Sequence, residues 1–437
     1  MRLYFYKVSE APGGKETRPV PMRYGRQDKT NENGFMNDKT MNRIIFCCLF
    51  VLCSMASVAQ KKVINAARDD VKKGKNLEKA EKTMQTLLQD TANRENEKIW
   101  GVLFESLKKQ YAQGNEKLYL NQKYDTVALF RIASRTFTAM TAYDSLDVLP
   151  DRKGRVRPVF RKSNAEWLNM LRPNLYNGGR FLIYKQQYAD AYRLLQQYIG
   201  AAGHPMFAAY DYKNKDAQLP QAAYWAVYAA YKQQDGDKLL KYIPLAQKDT
   251  AHLAMTWQYL SESYQAAGDT ANYLKVLHKG FERYPLTTFF YSRLLEHYSK
   301  QKAWGRALAL TDKALAMDST NVMYHLAKSS VLLNQGRYAE SYAISDSLLA
   351  TNDSLAEAHL YAGLAIFNEG VTLEKTVRSA KQKKQVLNRY RQALPHLEYY
   401  RRQFPKRKQM WGLPLYTIYL NLNMGKEFDE IDRLMRN

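Results

Sequence analysis

The sequence predicts an all-α chain, a right-handed superhelical solenoid of antiparallel helix-turn-helix repeats. Three observations carry that expectation. From about residue 60 onward, amphipathic stretches of about 12 to 16 residues follow one another, joined by short polar turns. The turns QAAGD, NQGRY and NEGVT place Gly268, Gly336 and Gly370 at steps of 68 and 34 residues, twice and once the same period. Finally, 21 Gly and 13 Pro in 437 residues are too few for an all-β chain rich in tight turns.

The chain opens with residues 1–40, where GGKETRPVP and QDKTNENG show no period and read as a disordered or non-native extension. Met41–Ala59, MNRIIFCCLFVLCSMASVA, then sets out Arg43, an apolar run from Ile44 to Met55, and small Ser57-Val58-Ala59. That order is a secretory signal, and the run is shorter than the roughly 20 apolar residues that span a bilayer. It predicts a start at Met41 or Met36, a mature end at Gln60, and export to the periplasm or outer envelope. A lipid anchor at Cys53 competes, although Leu52 stands where a lipobox wants a small residue. Cys47, Cys48 and Cys53 are the three cysteines, so nothing after them forms a disulfide or thiolate metal site. Without residues 1–59 the net charge is still near +20.

Residues 60–147 read as divergent helical hairpins, around Leu77–Gln89 and Trp100–Asp147. Residues 148–163 form a basic linker with Arg152, Lys153, Arg155, Arg157, Arg161 and Lys162. Residues 164–437 form the repeat array, with an insertion near 371–390. The clearest copy holds Trp257, Leu260, Ser261, Tyr264, Gly268, Gly280 and Pro285. The next holds Tyr291, Leu294, Tyr298, Trp304, Ala307, Ala314 and Asp318, where small Ala307 and Ala314 let two helices approach. A third carries Gly336, Tyr338 and Leu349, and a fourth Gly363 and Gly370. Residues 221–248 are looser, with Trp225, Ala229 and Gly236 at a turn spacing of 32, and residues 173–200 place Tyr188 and Ala191 in a second helix. Met424–Phe428 marks a last turn before a closing helix, for roughly eight hairpins in all.

These residues at this spacing resemble the tetratricopeptide-repeat (TPR) family, well over residues 165–437 and weakly over 60–145. The resemblance implies a scaffold for protein–protein interaction or assembly, with a protein or peptide partner held in a groove lined by the first helix of each hairpin. With its export signal and central NLYNGGRF segment, the chain more loosely resembles exported envelope proteins of Bacteroidetes.

Chemistry finds no support. The histidines have no HExxH spacing, and GxGxxG and GxxxxGK[ST] do not occur. Ser299-Lys300-Gln301-Lys302 fits SxxK, but the companion acylase motifs are missing. No catalytic residue, metal or cofactor is therefore expected, and an unrecognised enzyme ranks last among the functions. His325 and His359 lie 34 apart and read as equivalent packing residues. Gly178-Gly179 reads as close helix packing, with ligand approach as its alternative.

Two surfaces remain as candidates. Aligned by their turns, the repeats direct Met323, Leu326, Leu333, Leu360, Leu364 and Phe367 into the groove, beside acidic Glu262 and Glu296 and polar Gln258 and Ser292; the alternative is that these apolar residues only pack helix on helix. Separately, residues 371–408 hold twelve Lys or Arg against Glu374 and Glu398. Here an elongated turn at Lys381–Lys384, with Lys381, Lys383 and Lys384, and then Arg401 and Arg402 are the candidate contacts to an anionic partner. An acidic protein is the first such partner and an anionic envelope polymer or lipid the alternative. No nucleic acid is expected of an exported chain.

Overall fold

The computed structural model describes residues 59–436. The predicted extension at 1–40, all of the predicted signal except Ala59, and the three cysteines lie outside them. The chain divides into two compact units, Met1–Asp69 and Asp70–Asn437. Of the first, the described residues 59–69 are helical, and that helix (α1) ends at residue 72.

In the second unit the helices are α2 (Leu77–Leu87), α3 (Glu97–Tyr119), α4 (Thr126–Asp147), α5 (Arg161–Tyr184), α6 (Tyr188–Gly200), the four-residue α7 (Tyr212–Lys215), α8 (Leu219–Lys232) and α9 (Gly236–Ala246). They continue with α10 (Leu253–Ala266), α11 (Thr270–Arg283), α12 (Thr288–Lys300), α13 (Trp304–Met317), α14 (Val322–Asn334), α15 (Tyr338–Thr351), α16 (Ala356–Glu374), α17 (Ala380–Gln403), α18 (Lys408–Asn421) and α19 (Gly425–Arg436). Among the described residues the extended structure named is one isolated bridge, Pro150 with Val156. From α3 onward the helices pair into eight hairpins, with α7 as an extra turn. Each hairpin packs on the next through its second helix, and first helices also touch, as α8 with α10 and α14 with α16. The chain is thus an α-solenoid of stacked hairpins, in the order the period predicts.

The period has a backbone cause. Gln234, Gly268, Lys302 and Gly336 carry φ of 56°, 74°, 53° and 76°, each 34 residues after the last. At each, the next amide donates to the carbonyl five residues back: Asp235 to Ala230 at 3.1 Å, Asp269 to Tyr264 at 2.9 Å, Ala303 to Tyr298 at 2.9 Å, Arg337 to Leu332 at 3.0 Å. This left-handed closure satisfies the last carbonyls of the first helix and reverses the chain. Gly236, taken from sequence as the turn residue, is instead the first residue of α9, and the spacing of 32 becomes 34 at Gln234. From Gln186, another left-handed turn, to Gln234 the step lengthens to 48, and the excess holds two 3₁₀ turns and α7.

Gly370 departs from the expectation. It lies inside α16, where a Cβ would sit 2.9 Å from the Tyr390 ring, so it serves close packing and not a turn. The turn has moved to residues 375–379. The inserted length went into the helices themselves: α16 has 19 residues and α17 has 24, against 13 or 14 in α10 to α15. Lys381–Lys384, expected in an elongated turn, therefore form part of the first helical turns of α17.

Small residues make the close approaches elsewhere. Ala307 and Ala314 are buried between α12, α13 and α14. A Cβ on Gly280 would meet the Phe290 ring at 2.3 Å, and one on Gly179 would meet Leu195 at 2.6 Å, which settles the Gly178-Gly179 pair as packing. His325 and His359 play one role twice: each ring Nε2 donates to the carbonyl six residues upstream, Ser319 at 2.7 Å and Asp353 at 2.9 Å.

The basic linker spans the loop 148–160 and separates no domains, because α4 packs directly on α5. Buried Asp147 accepts the amides of Val159, Phe160 and Arg161 at 2.6–2.9 Å, and Asp144 holds the Arg161 guanidinium at 2.8 Å through two nitrogens. Two carboxylates thus staple the loop and consume part of its charge.

Candidate partner-binding surfaces

The predicted groove residues do not form one apolar face. Leu360 and Phe367 are buried in the core that joins α16 to α17, α18 and α19, Phe367 lying 5.7 Å from the Tyr390 ring. This corrects the expectation for both. Their hairpin is longer than its neighbours, and α17 and α18 cover the face that a shorter repeat leaves open. Leu364 packs half-buried against the same core. On α14, Leu326 and Leu333 are half-buried and Met323 is exposed.

The acidic half is largely compensated. Glu296 forms ion pairs with Lys300 at 2.7 Å and Arg293 at 3.3 Å, and the Lys300 hydrogen bond, followed by its charge and Arg293, holds the carboxyl below its usual range. The Glu262 carboxylate accepts the Tyr231 hydroxyl. That hydrogen bond, with burial second, pushes the Tyr231 phenol up to about 12. A groove read from sequence as an acidic strip is thus a set of local pairs.

The basic segment divides into two parts. From Arg389 onward, several of its cations serve the fold. Arg401 pairs with Glu430 of α19 and lies 5.2 Å over the Trp411 ring, Arg389 pairs with Glu369 at 3.0 Å, and Lys408 donates to the Leu434 carbonyl at 2.7 Å. Arg402 is exposed, 6.0 Å from the Tyr399 ring. Around the turn the pattern changes. Lys375, Arg378, Lys381, Lys383 and Lys384 are all exposed, and none forms an ion pair among the described residues. The nearest acid, Glu374, accepts the Tyr390 hydroxyl at 2.7 Å.

Helix stability explains only Lys375, which as the C-cap of α16 complements that helix's dipole, and not the lysines that open α17. Cations in a first helical turn oppose the helix dipole, at a cost of roughly 0.3–1 kcal/mol each at low salt. The start of α17 is held by neutral groups instead. Ser379 Oγ accepts the Gln382 amide at 3.2 Å, and Gln382 Oε1 accepts the Arg378 amide at 2.7 Å, close to a capping box. Sequence reading named three of the five tip cations. Lys375 and Arg378 were missed because the turn was drawn too late, and the absence of acids from 375 to 384 was the available signal.

Among the described residues, no group of three or more His, Cys, Asp or Glu is placed to hold a metal ion, and no helix is long and apolar enough to cross a membrane.

No family model matches the sequence, and no curated protein matches it. Solved helical structures do resemble it. PilW, a type IV pilus biogenesis factor, is 15% identical, with 50% of this chain and 93% of that one covered at a TM-score of 0.34. The C-terminal part of a TPR repeat-containing protein from Cytophaga hutchinsonii is 12% identical, with 59% and 98% covered at 0.35. The TPR2AB domain of yeast Sti1, solved in a complex with pHSP90, is 13% identical, with 70% and 96% covered at 0.23. Likenesses this weak carry no argument. The TPR-type fold of this chain rests on its own hairpin order and 34-residue turn spacing.

Proposed function

We propose that this chain is an exported scaffold that holds a protein partner in the cell envelope, and that the tip of the α16–α17 hairpin makes first contact with an acidic stretch of that partner. The observation that carries the reading is the tip itself. Five exposed cations without ion-pair partners among the described residues crowd one turn, at the end of a hairpin whose second helix is about 15 Å longer than its neighbours. Unpaired like charge of this kind speeds encounter with an opposite surface. A stack of hairpins supplies the rigid frame, and repeat folds of this kind work mainly as binding surfaces. Export rests on the charged, apolar and small-residue order of Met41–Ala59.

The test begins with cross-linking in native envelopes to capture the partner, followed by surface plasmon resonance over a salt series. Changing Lys381, Lys383 and Lys384 together to Glu should lower the association rate at least tenfold and flatten its salt dependence, with melting unchanged or raised, since acids suit the start of a helix. Unaltered rates would reduce the tip to a solvated end. Equal salt-dependent binding to protein-free anionic vesicles or envelope polymer would assign the tip to such a surface instead. Mass spectrometry of the native N-terminus tests export separately: Gln60 is expected, and an intact Met1 would sink it.

A further inference from the structure

We infer that the cleft between α2, α4 and α6 binds a small amphipathic anion, a carboxylate or phosphate monoester carried on a compact apolar body. The cleft encloses about 490 Å³, within the roughly 300–1,000 Å³ of small-molecule sites. Its floor is apolar: Leu88, Trp100, Leu103 and Ala139. The Trp100 indole N–H is spent on the Arg94 carbonyl at 2.7 Å, so the ring offers its hydrocarbon surface.

The rim is cationic. Arg131, Arg135 and Arg193 line the opening, with side chains 49%, 41% and 55% exposed. Arg135 is positioned in advance. Its Nε donates to Glu81 Oε1 at 2.7 Å, and Glu81, nearly buried, also accepts Gln110 at 2.7 Å and Gln85 at 3.1 Å. Arg131 and Arg193 share a single carboxylate, Asp190, at 3.5 Å and 3.0 Å. Two guanidinium groups against one acid leave charge and donors for a ligand, and planar forks match the oxygens of carboxylate and phosphate.

Of the other polar groups at the rim, Gln89 is neutral and exposed and Gln85 donates to Glu81, while the two hydroxyls are already committed. Ser134 Oγ donates to Gln197 Oε1 at 2.7 Å. Thr138 Oγ1 accepts from Gln197 Nε2 at 2.9 Å and donates to the Ser134 carbonyl at 3.1 Å. The arginines are the charged handle, and floor and rim together select a ligand that is both apolar and anionic. Arg131 and Arg193 come from different hairpins, 62 residues apart, so no sequence motif announces the site. The inference is independent of the hairpin tip.

Calorimetry on the mature protein tests it, with decanoate and 1-naphthyl phosphate as probes. Acetate and inorganic phosphate serve as head groups alone, and decanol as the apolar body alone. One saturable site is expected for at least one of the two amphipathic anions, and which of them binds identifies the head group. Arg131→Gln with Arg193→Gln, both on exposed side chains, should weaken binding at least tenfold. Ala142→Phe, at an exposed position on the cleft wall, should weaken it tenfold by filling space while melting stays unchanged. The inference is overturned if neither anion binds, if both variants bind within twofold of wild type, or if decanol binds as tightly as decanoate.

Discussion

Two parts of this solenoid are held together by different means. Between Leu77 and Gln218, buried charge joins elements distant in sequence. Glu81 on α2 receives Arg135 on α4, Asp144 on α4 receives Arg161 at the head of α5, and Arg172 on α5 reaches Asp216 beyond α7 at 2.7 Å. Arg172 is the extreme case: 5% exposed, it lies between the rings of Tyr198 and Tyr212, at 3.8 Å and 3.9 Å, and so fixes the extra 3₁₀ turns and α7 against the array. Between Leu253 and Thr351 the contacts depend on smallness. Ala307, Ala314 and Gly280 let helices approach, and the buried Ser329 hydroxyl bonds those of Ser341 and Ser345 at 2.9 Å and 2.8 Å. Regular repeats can rely on size because every copy presents the same surface to the next. Where lengths vary, specific charged links do the joining.

The difference sets opposite sensitivities, and the first is in the regular part. Ala307→Arg forces bulk and charge into the α12–α13–α14 contact, so a loss of about 4 kcal/mol or more is expected. Urea denaturation measures it. Wild-type stability in that variant would show that this contact is not closed by size.

Next in magnitude is Arg172→Met, which keeps most of the volume and removes the charge. It leaves Asp216 with the Tyr198 hydroxyl at 2.7 Å but no cation, and a loss of about 3 kcal/mol is expected, near the low end for breaking a buried pair. Combining it with Asp216→Asn should return part of the loss in a double-mutant cycle. Purely additive effects would mean that packing of the two rings, and not the ion pair, joins this insertion.

The same contrast decides what could be read beforehand. Size-based packing repeats with the chain, so Ala307, Ala314 and the His325–His359 pair were legible from spacing alone. The charged links were not, since Arg172 and Asp216 are 44 residues apart and nothing in either neighbourhood marks the other. Glycine proved an imperfect guide to turns. Gly370 fell on the period but packs inside a helix, while Gln234 and Lys302 turn the chain without being glycine. The groove residues Leu360 and Phe367 were misplaced for a related reason. Their placement assumed a hairpin of ordinary length, which α16 and α17 had outgrown.

The smallest predicted effects test whether backbone geometry, and not residue identity, carries the period. Lys302 sits at φ 53° in a turn equivalent to those of Gly268 and Gly336, at 74° and 76°. A side chain in that region costs roughly 1–2 kcal/mol from contact between its Cβ and the carbonyl that follows. Glycine avoids the contact but gives up roughly 0.5–1 kcal/mol of chain entropy on folding. The difference favours glycine, so Lys302→Gly and Gln234→Gly should each raise stability by about 0.5–1 kcal/mol. Gly268→Ala should lower it by a similar amount, although a Cβ there would meet nothing within 4 Å. With no contact to lose or gain, any effect at Gly268 reports the backbone alone. Urea midpoints for the three variants, at an unchanged denaturant slope, separate the outcomes. If Lys302→Gly destabilised while Gly268→Ala did nothing, the side chains would be setting the turns, and the equivalence of the four positions would fail.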